Sequence, residues 1–171
     1  MSPAPHITIR PELPEDGWAV RKVLNDAFDG PAESELVESL RASGELVLAL
    51  VALDNAAVAG YIAWPRLLVE TPRDVRAAVG LAPLGVDPSH QRRGIGDALT
   101  RAGIAQLRES GERLAFVLGD PNYYQRFGFS LEAARAFDSS YAGEHFMALM
   151  LAADAPERGR VRYPAAFDGL A

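Results

Sequence analysis

The segment from residue 84 to residue 99 constrains the fold of this chain more than any other part of its sequence. It reads LGVDPSHQRRGIGDAL, an apolar strand that runs through a basic turn into an amphipathic helix. The first N–H groups of a helix lack intrahelical acceptors and lie at the positive end of the peptide dipoles, so they attract an anion. Gly94 and Gly96 carry no Cβ, so a ligand oxygen can come close to the main chain. With Arg92 and Arg93 adding forked donors suited to phosphate, the segment predicts a phosphate-binding site.

Length, charge and cysteine content narrow the class of protein. A chain of 171 residues fits one domain, and a domain of this size buries roughly 70% of its unfolded surface. The chain has no cysteine, which excludes disulfides, thiolate nucleophiles and cysteine-based metal sites. Its 23 acidic and 17 basic residues give a net charge of −6. We therefore expect neither a nucleic acid nor an anionic membrane as a partner.

The apolar stretches of the chain are short. The first six residues show no charged region followed by an apolar core, as a secretory signal would. The longest apolar run, residues 46–53, is too short to span a bilayer. We expect a soluble, cytoplasmic protein.

Hydrophobic patterning predicts an alternation of strands and helices. A strand over residues 7–10 precedes helices at about 20–28 and 32–42, each with one apolar stripe and a glycine after its end. The apolar run 46–53 is continuous, so it predicts a strand covered on both faces. A turn at Asp54-Asn55 leads into a second strand of the hairpin, 58–64, which we expect to end at Pro65.

The second half of the chain predicts a β-α-β-α-β order. We expect a central strand over residues 77–86, stopped by Pro88, and a helix from Ile95 that ends before Gly111. The later elements are a strand at 113–118, a short helix at 122–126, and strands at 145–151 and 161–163. This layout predicts one domain over residues 1–171, with a core at about 6–151 and a C-terminal extension at 152–171. Its architecture is a mixed α/β sheet with helices on both faces.

The glycine spacing excludes two nucleotide-binding motifs. A Walker-type phosphate loop needs Gly-Lys-Ser/Thr, but Asp97 and Ala98 follow Gly96. The dinucleotide motif G-x-G-x-x-G needs a third glycine where Leu99 stands, and it belongs to the first strand of a βαβ unit.

The remaining pattern, Gln91-x-x-Gly94-x-Gly96 after Leu-x-Val-x-Pro, resembles the coenzyme-A-binding motif of the GCN5-related N-acetyltransferases (GNAT). That family transfers acetyl groups to amines, and the resemblance spans residues 6 to 151 or so. It implies the acyl-CoA N-acyltransferase fold, in which the mixed sheet is mostly antiparallel.

The resemblance also implies a set of coenzyme contacts. The main chain at Leu84, Gly85 and Val86 would pair with the pantetheine arm like an added strand. The pyrophosphate would bind the main-chain N–H groups of Arg92, Arg93, Gly94, Ile95, Gly96 and Asp97. Gln91 either braces the turn or contacts a phosphate.

A second cluster, residues 120–129, contains Tyr-x-x-x-Gly-Phe after a predicted strand. It resembles another motif of the same family, whose tyrosine lies beside the coenzyme sulfur. The resemblance implies that Tyr124 is the general acid that protonates the departing thiolate. We expect Tyr123 to serve packing, and Phe127 and Phe129 to belong to the core.

The chain departs from many relatives at the preceding strand. Family members often carry a carboxylate there and an asparagine seven residues before the tyrosine, whereas this strand has Phe116, Val117 and Leu118, with Val117 at the asparagine spacing. The general base therefore stays open. Besides a water relay or an amine of depressed pKa, the candidates are Glu35, Asp87, His90, Asp120 and Glu144.

Other catalytic patterns are missing from the sequence. The three histidines are far apart and form no H-x-x-x-H pair, so we expect no metal site. There is no Gly-x-Ser-x-Gly elbow of a hydrolase. The compact cluster at 120–129, together with Arg-Tyr-Pro-x-x-Phe at 162–167, resembles a bacterial subgroup of predicted acetyltransferases, which indicates no particular acceptor.

Taken with the resemblance, these patterns predict an acetyl-CoA-dependent N-acetyltransferase that transfers the acetyl group directly to a primary amine of a small molecule or peptide. The acidic balance of the chain favours a cationic acceptor. The alternative is a non-catalytic acyl-CoA-binding module that senses the coenzyme or binds a partner. Acetyl or longer acyl donors, and a monomer or a homodimer, are left open by the sequence.

Overall fold

The computed structural model describes residues 6–168, and their strands form one continuous sheet. The strands are β1 (Ile7–Pro11), β2 (Leu46–Asp54), β3 (Ala57–Glu70), β4 (Val75–Leu81), β5 (Leu84–Val86), β6 (Leu114–Leu118), β7 (Phe137–Asp138), β8 (Phe146–Met150) and β9 (Gly159–Arg162). The α-helices are α1 (Gly17–Phe28), α2 (Ala32–Ala42), α3 (Ile95–Glu109), α4 (Pro121–Tyr124) and α5 (Leu131–Ala134).

The sheet is mixed and mostly antiparallel, as predicted. Its main path runs β1-β2-β3-β4-β6-β8, and β5 and β9 also pair with the long strand β3. Two pairs are parallel, β4 with β6 and β7 with β9, while the others are antiparallel.

Helices cover both faces of the sheet, which confirms that prediction as well. On one face, α1 and α2 pack Val20, Leu24 and Val37 against Val51, Tyr61 and Ala63. On the other face, α3 packs Ile95, Leu99, Ile104 and Leu107 against residues that include Leu50, Ile62 and Trp64. Strand β2 contributes to both clusters, so its continuous apolar run does mark a strand buried between two layers.

The predicted end of a strand at Pro65 is wrong, because β3 continues to Glu70. The proline lies where β3 changes partners. It opposes Leu46 at an irregular point of the β2 register, and pairing with β4 begins at Arg66. A residue without an N–H is tolerated in a strand where no ladder bond is needed.

The predicted single strand over 77–86 is also wrong, since it breaks at Ala82-Pro83 into β4 and β5. The Ala82 N–H donates to the Ala63 carbonyl at 3.0 Å, and the Ala63 N–H donates to the Pro83 carbonyl at 3.1 Å. Two residues thus oppose one, which is a β-bulge that bends the strand. Because β6 pairs with β4 as far as Leu81 and does not pair with β5, the bend opens a gap between β5 and β6.

The last part of the chain joins the same sheet. Strand β9 pairs with β3 and with β7, close to the strand predicted at 161–163. The short elements α5 and β7 carry no periodic signal and were not predicted. After β9, a 3-10 turn at Ala165–Phe167 contacts α2, so the C-terminal segment reaches the helices of the first half of the chain.

Candidate functional site

The start of α3 leaves a row of main-chain donors free. Gly94 precedes the helix with φ +79°, and Arg92 also has a positive φ, +65°. The first bond that the helix closes is from the Ala98 N–H to the Gly94 carbonyl, at 3.0 Å. Within residues 6–168, the N–H groups of residues 92–97 have no acceptor. These donors, turned outward at the positive end of a helix of four turns, form a site for an anion.

Close packing against β3 holds α3 in place. A Cβ on Gly60 of β3 would lie 2.9 Å from Cγ2 of Ile95, and a Cβ on Gly103 of α3 would lie 2.5 Å from Nε1 of Trp64. Helix and strand therefore approach more closely than side chains would allow at these two positions. Neither glycine stands in a recognisable pattern, so sequence reasoning missed both.

The turn between β5 and α3 is braced by side chains. Asp87 accepts hydrogen bonds from the Ser89 N–H and hydroxyl at 2.9 and 2.8 Å, and His90 Nε2 lies 3.0 Å from an Asp54 carboxylate oxygen. Burial acts to raise the pKa of Asp87, but the hydrogen bonds from Ser89 act more strongly in the opposite direction. The net result is a lowered pKa. The Gln91 amide donates to the Val86 carbonyl at 3.2 Å, so of its two expected roles the structure shows the brace.

Positive charge at the helix start comes from two exposed arginines, Arg92 and Arg93. The side chain of Asp97 is engaged elsewhere, in an ion pair with Arg126. The Arg126 guanidinium in turn lies 5.2 Å from the ring centre of Tyr123. Asp97 can therefore bind an anion only through its main-chain N–H, as the resemblance implies.

The outer edge of β5 is free to bind a ligand. The Pro83 carbonyl accepts a hydrogen bond from β3 at 3.1 Å, and the Asp87 N–H donates one to β3 at 2.8 Å. Alternate residues of an antiparallel strand bond to the same side, so Gly85, midway between them, also bonds to β3. Leu84 and Val86 then turn their main-chain groups into the gap, where no strand of residues 6–168 pairs with them, although the Val86 carbonyl already accepts the Gln91 amide.

Gly85 contributes to the site by lacking a side chain. A Cβ there would lie 2.9 Å from Cδ2 of Leu24 and 3.2 Å from Cε2 of Phe28, both on α1. The glycine lets α1 lie directly on β5. Of the three residues expected to pair with a pantetheine arm, Leu84 and Val86 present the outward main-chain groups, and Gly85 seats the strand.

Tyr124 is held at the other side of the gap. Asp120 begins α4 by accepting the Asn122 N–H at 2.9 Å. The Tyr124 ring then lies directly on Gly119, where a Cβ would be 2.4 Å from Cε2 of the ring. Burial raises the pKa of Tyr124 to about 12, so its phenol is protonated and able to donate over the physiological pH range.

The neighbouring aromatic residues pack as predicted. Phe127 and Phe129 are 8% and 2% exposed, which places them in the core. Tyr123 is half-buried and packs edge to face on Tyr124, with ring centres 4.9 Å apart. Burial, together with the nearby Asp97 carboxylate, raises the pKa of Tyr123 to about 12.

A cavity of about 310 Å³ fills the gap beyond Leu81 and Val117. We call it the β5–β6 cavity. Fifteen residues line the cavity, and Tyr124 is one of them. They are Phe28, Glu33, Leu36, Gly80, Leu81, Ala82, Pro83, Leu84, Phe116, Val117, Leu118, Tyr124, Tyr141, Tyr163 and Phe167.

None of the five candidate bases lines this cavity. Asp87 and Asp120 cap turns, and His90 pairs with Asp54. Glu35 and Glu144 are exposed. The carboxylate that does line the cavity belongs to Glu33, half-buried in the first turn of α2, and no pattern in the sequence distinguishes it from the acidic residues nearby.

Residues 6–168 hold no group of three or more His, Cys, Asp or Glu side chains placed to bind a metal ion. None of their helices combines the length and hydropathy that a membrane crossing requires.

Comparison with known proteins decides the family. A family model described as "Acetyltransferase (GNAT) domain" matches residues 8–131, which is well over half of the chain. The chain belongs to the GNAT acetyltransferases. The matched region contains every structural feature described above from β5 to Tyr124.

Named relatives agree with the GNAT assignment. The chain is 39% identical over 130 residues to the uncharacterized N-acetyltransferase YhbS of Escherichia coli, covering 73% of this chain and 74% of that protein. It is 36% identical over 126 residues to the uncharacterized N-acetyltransferase YjhQ of the same species, covering 72% and 70%.

Solved GNAT structures share the fold over nearly the whole chain. The crystal structure of Escherichia coli YhbS in complex with CoA has a TM-score of 0.87 and 35% identity, and the match covers 98% of this chain and 95% of that one. A GNAT acetyltransferase from Brucella melitensis in complex with acetyl-CoA has a TM-score of 0.81 and 38% identity, with 96% and 99% covered.

Proposed function

We propose that this GNAT protein uses acetyl-CoA to acetylate a primary amine of a small molecule or peptide by direct transfer. The observation that carries the proposal is the open edge of β5, which lies between the free N–H groups of residues 92–97 and the cavity that holds Tyr124. An anion site, an amide-pairing edge and a buried phenol thus follow one another in the order of pyrophosphate, pantetheine and thioester.

The binding roles follow from that order. Arg92, Arg93 and the main-chain donors up to Asp97 would hold the pyrophosphate, and the outward groups of Leu84 and Val86 would pair with the pantetheine amides. Two relatives bound to CoA and acetyl-CoA support this assignment. The pairing of β9 with β3 supports treating residues 1–171 as a single domain.

The reaction needs no covalent enzyme intermediate. The neutral amine nitrogen attacks the thioester carbonyl, a C–N bond forms, and the C–S bond breaks. Tyr124 donates its phenolic proton to the departing thiolate, and the proton that the amine loses returns to the phenolate through water. The products are the N-acetyl amine and CoA with its thiol.

Replacing Tyr124 with Phe tests the catalytic role. The variant keeps the ring and its packing but removes the donor, so turnover should fall roughly 10²- to 10⁴-fold. The dissociation constant for acetyl-CoA, measured by calorimetry, should stay near the wild-type value. Tyr123→Phe is the matched control, because it removes a neighbouring phenol that packs outside the cavity.

The outcomes separate an enzyme from a sensor. Equal turnover of Tyr124→Phe and wild type on an active amine would remove Tyr124 as the acid. Tight binding of acetyl-CoA with no amine able to stimulate thiol release would favour a non-catalytic acyl-CoA-binding module.

A further inference from the structure

One wall of the β5–β6 cavity comes from the C-terminal segment. Tyr163 directly follows β9, and Phe167 ends the 3-10 turn that contacts α2. With Tyr141 they form a row of rings packed edge to face, with centres 4.8 Å apart from Tyr141 to Tyr163 and 5.4 Å from Tyr163 to Phe167. All three line the cavity. This places the Arg-Tyr-Pro-x-x-Phe stretch at the site.

Tyr163, the middle residue of this row of rings, carries no charge, so the row can pack against a flat apolar group. Burial raises the pKa of Tyr163 to about 12, which keeps its phenol neutral. Aromatic side chains prefer offset or edge-to-face contacts with other rings, and such pairs add about 0.5–1.5 kcal/mol beyond their buried area. The row therefore offers one more edge-to-face position to a ligand ring.

A single charge faces the same space. Among the described residues that line the cavity, only Glu33 carries a charged side chain. It lies on α2, the helix that the 165–167 turn contacts, and it is half-buried. One carboxylate beside aromatic rings complements a ligand with one positive charge and an apolar body.

We propose that the acceptor is a small monoamine with an aromatic ring and no carboxylate, an inference that rests on the proposed acetyl transfer. The ring packs on the Tyr163–Phe167 row, and Glu33 attracts the ammonium group, which loses one proton to water before the nitrogen attacks. A polyamine would leave its second charge against apolar walls. An amino acid would bring its carboxylate toward Glu33. The cavity volume lies at the low end of the roughly 300–1,000 Å³ of small-molecule sites, and the thioester end of the coenzyme occupies part of it, so the acceptor must be small.

A panel of amines with the wild-type protein tests the ligand class. Thiol release from acetyl-CoA is measured with 2-phenylethylamine, phenylalanine and putrescine. We expect kcat/KM for 2-phenylethylamine to exceed that for each of the others at least tenfold. Higher kcat/KM with phenylalanine or putrescine would overturn this inference and leave the proposed function standing. Release with no amine in a broad panel would overturn the proposed function itself.

Two variants test the residues. Glu33→Gln should raise KM for 2-phenylethylamine about tenfold or more, as loss of a charged hydrogen bond predicts, with the dissociation constant of acetyl-CoA unchanged. Glu109→Gln, an exposed glutamate at the end of α3, is the matched control. Phe167→Leu should raise KM for 2-phenylethylamine more than KM for butylamine. An unchanged KM in both Glu33→Gln and Phe167→Leu, with thermal unfolding near wild type, would contradict the assignment.

Discussion

At the scale of single residues, glycines set the distances on which the site depends. The Tyr124 ring occupies the space that a side chain at Gly119 would fill, with only 2.4 Å from a Cβ to the ring. The ring also touches Phe129, with centres 5.9 Å apart, so it cannot retreat without disturbing the core. Gly119 is thus a positioning residue for the proposed acid.

Gly119→Ala should move the Tyr124 phenol and lower kcat by about tenfold or more, because a displacement near 1 Å at a reacting group can cost 10²-fold. The affinity for acetyl-CoA, which depends on β5 and α3, should change little. Gly17→Ala is the control, since a Cβ at Gly17 meets nothing within 4 Å. Unchanged kcat in Gly119→Ala would show that the ring position is not critical.

A candidate site residue can be predicted from the sequence where a local pattern exists. Gly94 stands at a helix start, and Tyr124 stands in a spaced aromatic motif. Gly60 and Gly103 contact residues that are distant in the sequence, and Gly119 contacts the ring of Tyr124. No local spacing pattern marks any of these three glycines.

At the scale of elements, the junction of β5 and α3 depends on a left-handed residue. Gly94 has φ +79° with open space around it, so conformation rather than crowding demands glycine there. The N–H groups of residues 92–97 point outward only while the turn keeps this shape.

Gly94→Val should weaken acetyl-CoA binding strongly, at least tenfold, because a β-branched residue resists positive φ. Gly94→Asn should bind nearly as well as wild type, since asparagine tolerates the left-handed region. Calorimetric dissociation constants compare the two. Equal losses in both variants would mean that side-chain volume, not backbone shape, controls the site.

The helix start could be predicted because every signal for it lies within 16 contiguous residues, 84–99. The break between β4 and β5 could not, because it depends on Ala63 of β3 bonding to two successive residues across the sheet. Strand propensity alone favours one long strand over residues 77–86.

At the scale of the whole molecule, an ion pair fastens the first strand to the first helix. Arg10 Nη1 and Nη2 donate to Asp16 at 2.7 and 3.0 Å, and the Leu13 N–H donates to the same carboxylate at 2.7 Å. The hydrogen bond from Arg10 is the largest influence on the Asp16 carboxyl, and despite the opposing effect of burial its pKa is lowered.

The pKa of the Asp16 carboxyl is lower in the folded protein than in the unfolded chain, where it is about 3.9. The ionised carboxylate therefore stabilises the fold at pH values above about 3.9. This contribution is lost as the pH falls through the folded-state pKa. Asp16→Asn should lower the free energy of unfolding by about 2 kcal/mol at pH 7, and the difference from wild type should shrink below about pH 4. Urea titrations at several pH values measure it. Asp26→Asn, in an exposed pair with Lys22, should cost much less. A pH-independent loss would exclude the ion pair as the cause.

The C-terminal segment marks the limit of prediction at this scale. The sequence predicts residues 152–171 as an extension and places their strand within two residues of β9. The turn at Ala165–Phe167 contacts α2, more than 120 positions earlier, and this contact depends on tertiary packing. Tyr163 and Phe167 could therefore be seen as a motif but not as part of a cavity.

The gap between β5 and β6 also bears on how the protein behaves among copies of itself. An unpaired strand edge invites other chains to add to the sheet and so promotes aggregation. Strand β5 offers only three residues, about 10 Å of edge, and β6 stands across the gap from it. A second protein strand would find too short an edge to pair with in a fixed register. A narrow ligand with a few amides can still enter, so the sheet keeps an edge for binding that does not seed self-association.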